Sequence, residues 1–186
     1  MLPTIWLYVA KEWGNSMRTG LIGEKLGHSF SKVIHEQILD DIYELIPLNE
    51  AEFHQFMTDK PFDAINVTIP YKEKVIPYCH HIDDKATSIH AINAIKNING
   101  TLYATNTDFE GLKLMIEHHG FDLKNHVVAL LGTGGTSKTA LAVCKSLGVR
   151  EVIQVGRNKP EPIISYEKLK EHKEIEYIIN TTSVGM

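Results

Sequence analysis

Apolar residues recur along the chain in short, strand-length runs separated by stretches of helical spacing, the pattern of an α/β protein. The run from Arg18 to Gly23, with Leu21 and Ile22 inside it, reads as a buried strand. Behind it, Val33, Ile34, Ile38 and Leu39 mark an amphipathic helix with Ser31 as its expected N-cap. A second strand is expected over residues 42–48, then a helix through Phe53, Phe56 and Met57, where Asn49 and Glu52 have the spacing of a capping pair. A strand-like run from Phe62 then enters Asn66-Val67-Thr68-Ile69-Pro70-Tyr71-Lys72. Proline suits the first helical position, where its missing N–H would be unpaired anyway, so a helix is predicted to begin at Pro70.

Residues 83–89 read as a helix. Residues 91–98 and Thr101–Thr105 alternate with β-branched side chains around Asn99-Gly100, the strongest short hairpin signal in the chain. Phe109, Leu112, Met115, Ile116 and His119 recur at helical spacing up to Gly120, a C′ residue by position. From His126 the grammar changes. Val127–Leu131 is a short apolar run followed by Gly132-Thr133-Gly134-Gly135-Thr136-Ser137 and a helix through Ala140, Leu141 and Cys144 to Gly148. Further strands are expected over Glu151–Val155 and residues 176–180, the last running into Thr181-Thr182-Ser183-Val184-Gly185-Met186.

Composition narrows the classes. With 186 residues, 43% hydrophobic and 23% charged, the chain has room for one full domain and part of another. No apolar run has the length of a membrane span. A net charge of -4 and a pI near 6.2 give no electrostatic footprint for nucleic acid, which excludes that class of partner. Cys79 and Cys144 lie outside C-x-x-C or zinc spacing and suit reduced thiols, so a cytoplasmic location is expected. His80-His81 and His118-His119 are adjacent pairs without the i,i+4 spacing of helical metal ligands, and no metal is expected. Residues 1–17 are expected to be an upstream extension ending at a more natural start, Met17. The apolar segment at residues 5–10 is short and has no basic segment before it, unlike a secretory signal.

Candidate chemistry gathers at the strand-to-helix junctions. Thr68 and Lys72 sit where an open α/β sheet binds ligands; on this stretch alone, a turn with a solvated lysine is the favoured reading, and the accompanying motifs tip the balance. Ser29 and Ser31, at the mouth of the first helix, can hydrogen-bond a carboxylate or vicinal hydroxyls, and His28 reads as a loop hydrogen-bonder. Asn93 is either a satisfied structural amide or the reader of a ligand hydroxyl, since asparagine is disfavoured inside a strand. Asp108 either helps cap its helix or faces Lys72, and an ammonium beside a carboxylate is a proton-transfer pair. The glycine-rich loop has the layout of a dinucleotide site: Gly132 for the tight turn, Gly134 for approach of a pyrophosphate, and small Ser137 where a third glycine usually sits. Arg157, followed by Asn158 and Lys159, replaces the acidic residue that would meet a ribose 2′-hydroxyl. An arginine there suits a 2′-phosphate, which favours NADP over NAD.

Taken together, the motifs Gly27-His28-Ser29-Phe30-Ser31, Asn66-Val67-Thr68-Ile69-Pro70-Tyr71-Lys72, Ala91-Ile92-Asn93-Ala94, Asn106-Thr107-Asp108, the glycine-rich loop and Asn180-Thr181-Thr182-Ser183-Val184-Gly185-Met186 resemble the shikimate dehydrogenase family over residues 18–186. The resemblance implies an N-terminal α/β substrate-binding domain with a mixed sheet over residues 18–107. A linker helix and the first half of a Rossmann-type NADP-binding domain would follow over residues 108–186. It implies reversible NADPH-dependent reduction of 3-dehydroshikimate to shikimate, a step toward chorismate and the aromatic amino acids. Ser29, Ser31, Thr68, Asn93 and Asp108 would hold shikimate, with Lys72 and Asp108 as the catalytic pair. Gly132, Thr133, Gly134, Gly135, Thr136, Ser137, Arg157, Asn158, Thr181, Thr182, Ser183 and Met186 would meet NADP.

Ala94 departs from the threonine common in that family, and Glu161 stands where a second NADP-directed arginine often occurs. Measured against a strand order of 3-2-1-4-5-6, the chain supplies the first three strands and reads as truncated. Val127–Leu131 is therefore expected to have a bare edge that invites a homodimer or looser association, and activity is expected to be poor. Two alternatives stay open: a quinate/shikimate dehydrogenase using NAD, and a remnant that binds shikimate without catalysis.

Overall fold

The computed structural model describes residues 17–27, 29–39, 42–157, 160–182 and 184. The expected extension at residues 1–16, together with His28, Asn158, Lys159, Ser183, Gly185 and Met186, lies outside the described residues. The chain divides into two compact units, Met1–Asn106 and Thr107–Met186.

The first unit is built on β1 (Thr19–Gly23), whose residues are all buried. It pairs in parallel with β2 (Tyr43–Pro47) on one side and β3 (Ala64–Val67) on the other. β5 (Ala94–Ile98) runs antiparallel to β3 and forms a hairpin with β6 (Thr101–Thr105); β4 (His81–Ile82) joins β6 in parallel. The sheet order is β2-β1-β3-β5-β6-β4, the mixed sheet the resemblance implied. Asn99 (φ 50) and Gly100 (φ 85) both take the left-handed conformation that two-residue hairpin turns favour. Helix α2 (Glu50–Asp59) begins with the expected reciprocal cap: Glu52 N–H donates to Asn49 Oδ1 at 3.0 Å, and Asn49 N–H donates to Glu52 Oε2 at 2.8 Å. It buries Phe53 and Met57, and the Phe53 ring stacks on Tyr71 at 4.2 Å. The helix expected at residues 83–89 is α3 (Asp84–Ile89), capped by the Asp83 side chain.

Three expectations in this unit are corrected. No α-helix starts at Pro70. Tyr71 N–H donates to Thr68 O at 2.9 Å, closing a turn across a cis Ile69-Pro70 bond, and turns continue to a short 3-10 helix at Ile76–Tyr78. Proline's fixed φ fits either setting, so the local sequence alone does not choose. Second, α1 (Ser31–Leu39) is anchored by Ser29, not by a Ser31 cap: Ser31 N–H donates to Ser29 Oγ at 3.2 Å. Third, α1 turns its apolar residues outward. Lys32 Nζ donates to Tyr43 O at 2.9 Å and pairs with Glu36 at 2.6 Å, while the His35 ring stacks on Tyr43 at 4.2 Å. Its polar side thus meets the start of β2, leaving Val33, Ile34 and Ile38 exposed at 56%, 51% and 60%.

The second unit opens with α4 (Thr107–His118), which ends as its pattern predicts. Gly120 takes φ 72 and donates to Glu117 O, and Phe121 N–H reaches Ile116 O, so the last carbonyls are satisfied. Strands β7 (Val127–Leu131), β8 (Glu151–Val155) and β9 (Tyr177–Asn180) are parallel, and α5 (Gly135–Ser146) connects the first two. Ile116, Leu123, Val128, Val143 and Cys144 form the core between helices and sheet.

Here the expected bare edge is corrected. The sheet order is β8-β7-β9, with β7 paired on both sides. After β8, one parallel bridge between Val155 and Ile164 stands where a third strand was expected. The chain then crosses through a 3-10 turn at Lys168–Glu171 to the far side of β7, where Glu176 N–H reaches Val127 O at 3.0 Å. The direction of winding therefore reverses at β7. Such a reversal is where open α/β sheets form their ligand crevice.

Candidate functional site

In the first unit, the ends of β1 and β3 and the start of β5 lie side by side at one end of the strands, and backbone hydrogen bonds knit them together. Thr68 N–H donates to Ile22 O at 2.9 Å, Val67 N–H to Asn93 O at 2.9 Å, and Ile92 N–H to Lys72 O at 2.8 Å. Thr68, Lys72 and Asn93, from segments up to 25 positions apart in the chain, are thereby brought to one place. The Thr68 methyl packs so closely on the end of β1 that a Cβ at Gly23 would fall 2.6 Å from it. Ser29 on the loop after β1 and Ser31 at the first position of α1 stand at the same strand ends, and both are half-buried. That loop is tied to the Pro70 turn by Glu24 N–H donating to Ile69 O at 3.2 Å.

Asn93 sits just before the assigned start of β5, only 7% exposed. A residue quoted above without a role supports it. Asn66 donates from Nδ2 to Asn93 O at 3.2 Å and accepts the Tyr43 hydroxyl at 2.7 Å on Oδ1. Burial pushes the Tyr43 phenol above its ordinary value, which keeps it a donor. The available signal was Asn66 itself, an amide inside a strand; nothing in the sequence pointed to Tyr43. Asn106, 1% exposed, donates to Ala91 O at 2.9 Å and fixes the end of the hairpin. Asp108 belongs to the second unit, in the first turn of α4, where the helix dipole favours a carboxylate.

In the second unit, the remaining candidates cluster at the ends of β7, β8 and β9. Gly132 takes φ 114, and a Cβ there would lie 2.6 Å from Thr181 Oγ1, so both backbone conformation and the neighbouring strand demand glycine. Gly134 is the N-cap of α5, and no side chain caps it. A Cβ on Gly134 or Gly135 would meet nothing within 4 Å, leaving the peptide edge of the loop open to an anion. Ser137 is fully buried and donates to Gly132 O at 2.8 Å; Thr133 is half-buried and Thr136 exposed. Arg157 is exposed just beyond β8. Thr181 donates from Oγ1 to Leu131 O at 2.6 Å, and Thr182 donates to Asn180 Oδ1, shaping the turn after β9. Asn158, Ser183 and Met186 fall outside the described residues.

Burial pushes the Cys79 and Cys144 thiols up to about 11, which makes both poor nucleophiles at neutral pH. Among the described residues, no group of three or more His, Cys, Asp or Glu is placed to hold a metal ion, and no helix is long and apolar enough to cross a membrane.

The family model described as "Shikimate dehydrogenase substrate binding domain" matches residues 21–95. The chain is 33% identical to the NADP(+) shikimate dehydrogenase of Caldicellulosiruptor bescii, covering 89% of this chain and 66% of that protein. It is also 33% identical to the enzyme of the same name from Caldicellulosiruptor saccharolyticus, covering 68% of it. The chain thus spans about two thirds of the length of the curated relatives it matches. Among solved structures, shikimate dehydrogenase 1 of Peptoclostridium difficile superposes with a TM-score of 0.81 at 34% identity, over 90% of this chain and 68% of that one. The chorismate mutase/shikimate 5-dehydrogenase fusion protein of Clostridium acetobutylicum gives 0.84 at 34%, over 92% and 69%. With its mixed sheet, its Rossmann-type second unit and relatives of this identity and coverage, the chain belongs to the shikimate dehydrogenase family.

Proposed function

We propose that this chain acts as an NADP-dependent shikimate dehydrogenase, catalysing reversible reduction of 3-dehydroshikimate to shikimate on the route to chorismate and the aromatic amino acids. The observation that carries the reading is the gathering of Thr68, Lys72 and Asn93 at one strand-end mouth, in the unit that the substrate-binding family model matches. Relatives named NADP(+) shikimate dehydrogenases support the choice of substrate and cofactor.

In this reading Ser29, Ser31, Thr68 and Asn93 hydrogen-bond the carboxylate and ring hydroxyls of shikimate. The Lys72 ammonium donates a proton to the ketone oxygen as it becomes an alkoxide, and takes it back in the reverse direction. Asp108 binds the substrate and orients that amine. The loop residues Gly132, Thr133, Gly134, Gly135 and Thr136 fit a dinucleotide diphosphate, because an uncapped helix start and two unobstructed glycines leave N–H groups for it. Ser137 closes the loop from beneath, Arg157 meets the 2′-phosphate, and Thr181 and Thr182 border the nicotinamide side. NADPH, when bound, supplies the hydride. The location is cytoplasmic. Two copies form a homodimer.

Depletion of NADPH with 3-dehydroshikimate as substrate tests this directly. Turnover with NADPH, faster than with NADH, is the expected result. Faster turnover with NADH would overturn the cofactor choice, quinate turnover would point to the broader enzyme, and shikimate binding without oxidation would reduce the chain to a binding remnant.

A further inference from the structure

The glycine-rich loop is held from the side by a residue that no motif singles out. Gln154 lies on β8 between Ile153 and Val155, both apolar and buried. Its Nε2 is 2.9 Å from Ser137 Oγ and 3.3 Å from Gly132 O. Ser137 Oγ donates to the same carbonyl at 2.8 Å. A carbonyl oxygen only accepts, so the amide nitrogen of Gln154, and not its oxygen, must face the loop. The Ser137 proton is committed to Gly132, which leaves its oxygen to accept from Gln154. The three groups close a ring that joins the first residue of the loop, the first turn of α5 and the neighbouring strand.

The setting leaves Gly132 little freedom. Its N–H donates to Val155 O at 2.9 Å, and Thr181 closes the opposite side. The peptide that follows carries the orientation of Gly132 into the N–H groups of residues 133–135, where a Cβ on Gly134 or Gly135 would meet nothing within 4 Å. We propose that Gln154 is a positioning residue for the dinucleotide diphosphate, setting the direction of those N–H groups without touching the ligand. The proposal rests on the dinucleotide-binding reading of the loop. An apolar side chain of the same length fills the space on β8 but donates nothing, so the Ser137 hydroxyl and the Gly132 carbonyl lose their shared anchor.

The test uses the full chain, comparing Q154M with the unsubstituted protein for binding of NADPH, of adenosine 2′-monophosphate and of shikimate. Loss of the two part-buried hydrogen bonds of Gln154, the one to Gly132 O being long, corresponds to about a fivefold weakening, the effect expected for NADPH. Adenosine 2′-monophosphate has no diphosphate, and its affinity is expected to stay within about twofold, as is that of shikimate. In the double variant with S137A, the NADPH losses are expected to fall short of the sum of the single ones. Should Q154M not fold, S137A alone carries the same expectation. Unchanged NADPH affinity overturns the proposal, and so does equal weakening of NADPH and adenosine 2′-monophosphate, the mark of a general structural role. Absence of NADPH binding in the unsubstituted chain, with shikimate still bound, overturns the dinucleotide reading and the role of Gln154 with it.

Discussion

At the scale of single residues, the proposed substrate mouth depends on amides whose partners lie far away in sequence. Asn66 links the Tyr43 hydroxyl to the Asn93 carbonyl. Tyr43→Phe removes the donor and leaves Asn66 Oδ1 with an unmet acceptor, a loss of about 1–3 kcal/mol. Urea denaturation is expected to show that loss, and shikimate titration a weaker affinity. At Gly132, alanine meets Thr181 at 2.6 Å and must adopt φ 114, so Gly132→Ala is expected to cost more than about 1 kcal/mol and abolish NADPH binding. Asn93 and Gly132 stood out in the sequence because each breaks a local rule: asparagine in an expected strand, although β5 begins one residue later, and glycine at a strand end. Gln154 and Tyr43 break none. The two serines at α1 were assigned in reverse because spacing alone does not say which hydroxyl takes the first free N–H.

At the scale of elements, patterns with a local cause were readable and those with a tertiary cause were not. The capping box of α2 and the Asn99-Gly100 turn are written within four residues, and both formed. Asn49→Ala is expected to lower stability by about 1 kcal/mol, measured by thermal or urea unfolding. The apolar stripe of α1 was equally clear, yet it faces outward, because Lys32, His35 and Glu36 bind Tyr43 more specifically than an aliphatic side could. At the start of β9, Glu176 accepts from the His126 ring at 2.5 Å, which holds its carboxyl below the ordinary 4.5. A carboxyl lowered on folding contributes stability that is complete above its ordinary value and is lost as pH falls through the folded value. The pairing of β9 on β7 is therefore expected to weaken as pH falls from above 4.5 through the lower folded value. Hydrogen exchange at β9 is expected to accelerate over that window in the unsubstituted protein and much less in Glu176→Gln.

At the scale of the whole molecule, alternating strand and helix periods gave the two α/β units, but periodicity carries no information about which side of β7 the last strand takes. The crossing to the far side follows from the chain after β8, which spends one bridge beside that strand and then leaves it. Association of two copies is expected to involve Phe30, Val33, Ile34 and Ile38 instead of an open β7 edge, since clustered apolar side chains on a surface mark contact sites. Sedimentation velocity is expected to show a smaller species for Ile34→Lys/Ile38→Glu than for the unsubstituted chain. An unchanged distribution would place the contact elsewhere.

The proposed proton transfer by Lys72, at the mouth it shares with Thr68 and Asn93, is the central claim. Its most direct test compares Lys72→Ala with the unsubstituted protein for both turnover of 3-dehydroshikimate and affinity for shikimate. Turnover is expected to fall by about a hundredfold or more while affinity changes far less. Equal losses in the two would mean that the lysine only binds, and would contradict the account.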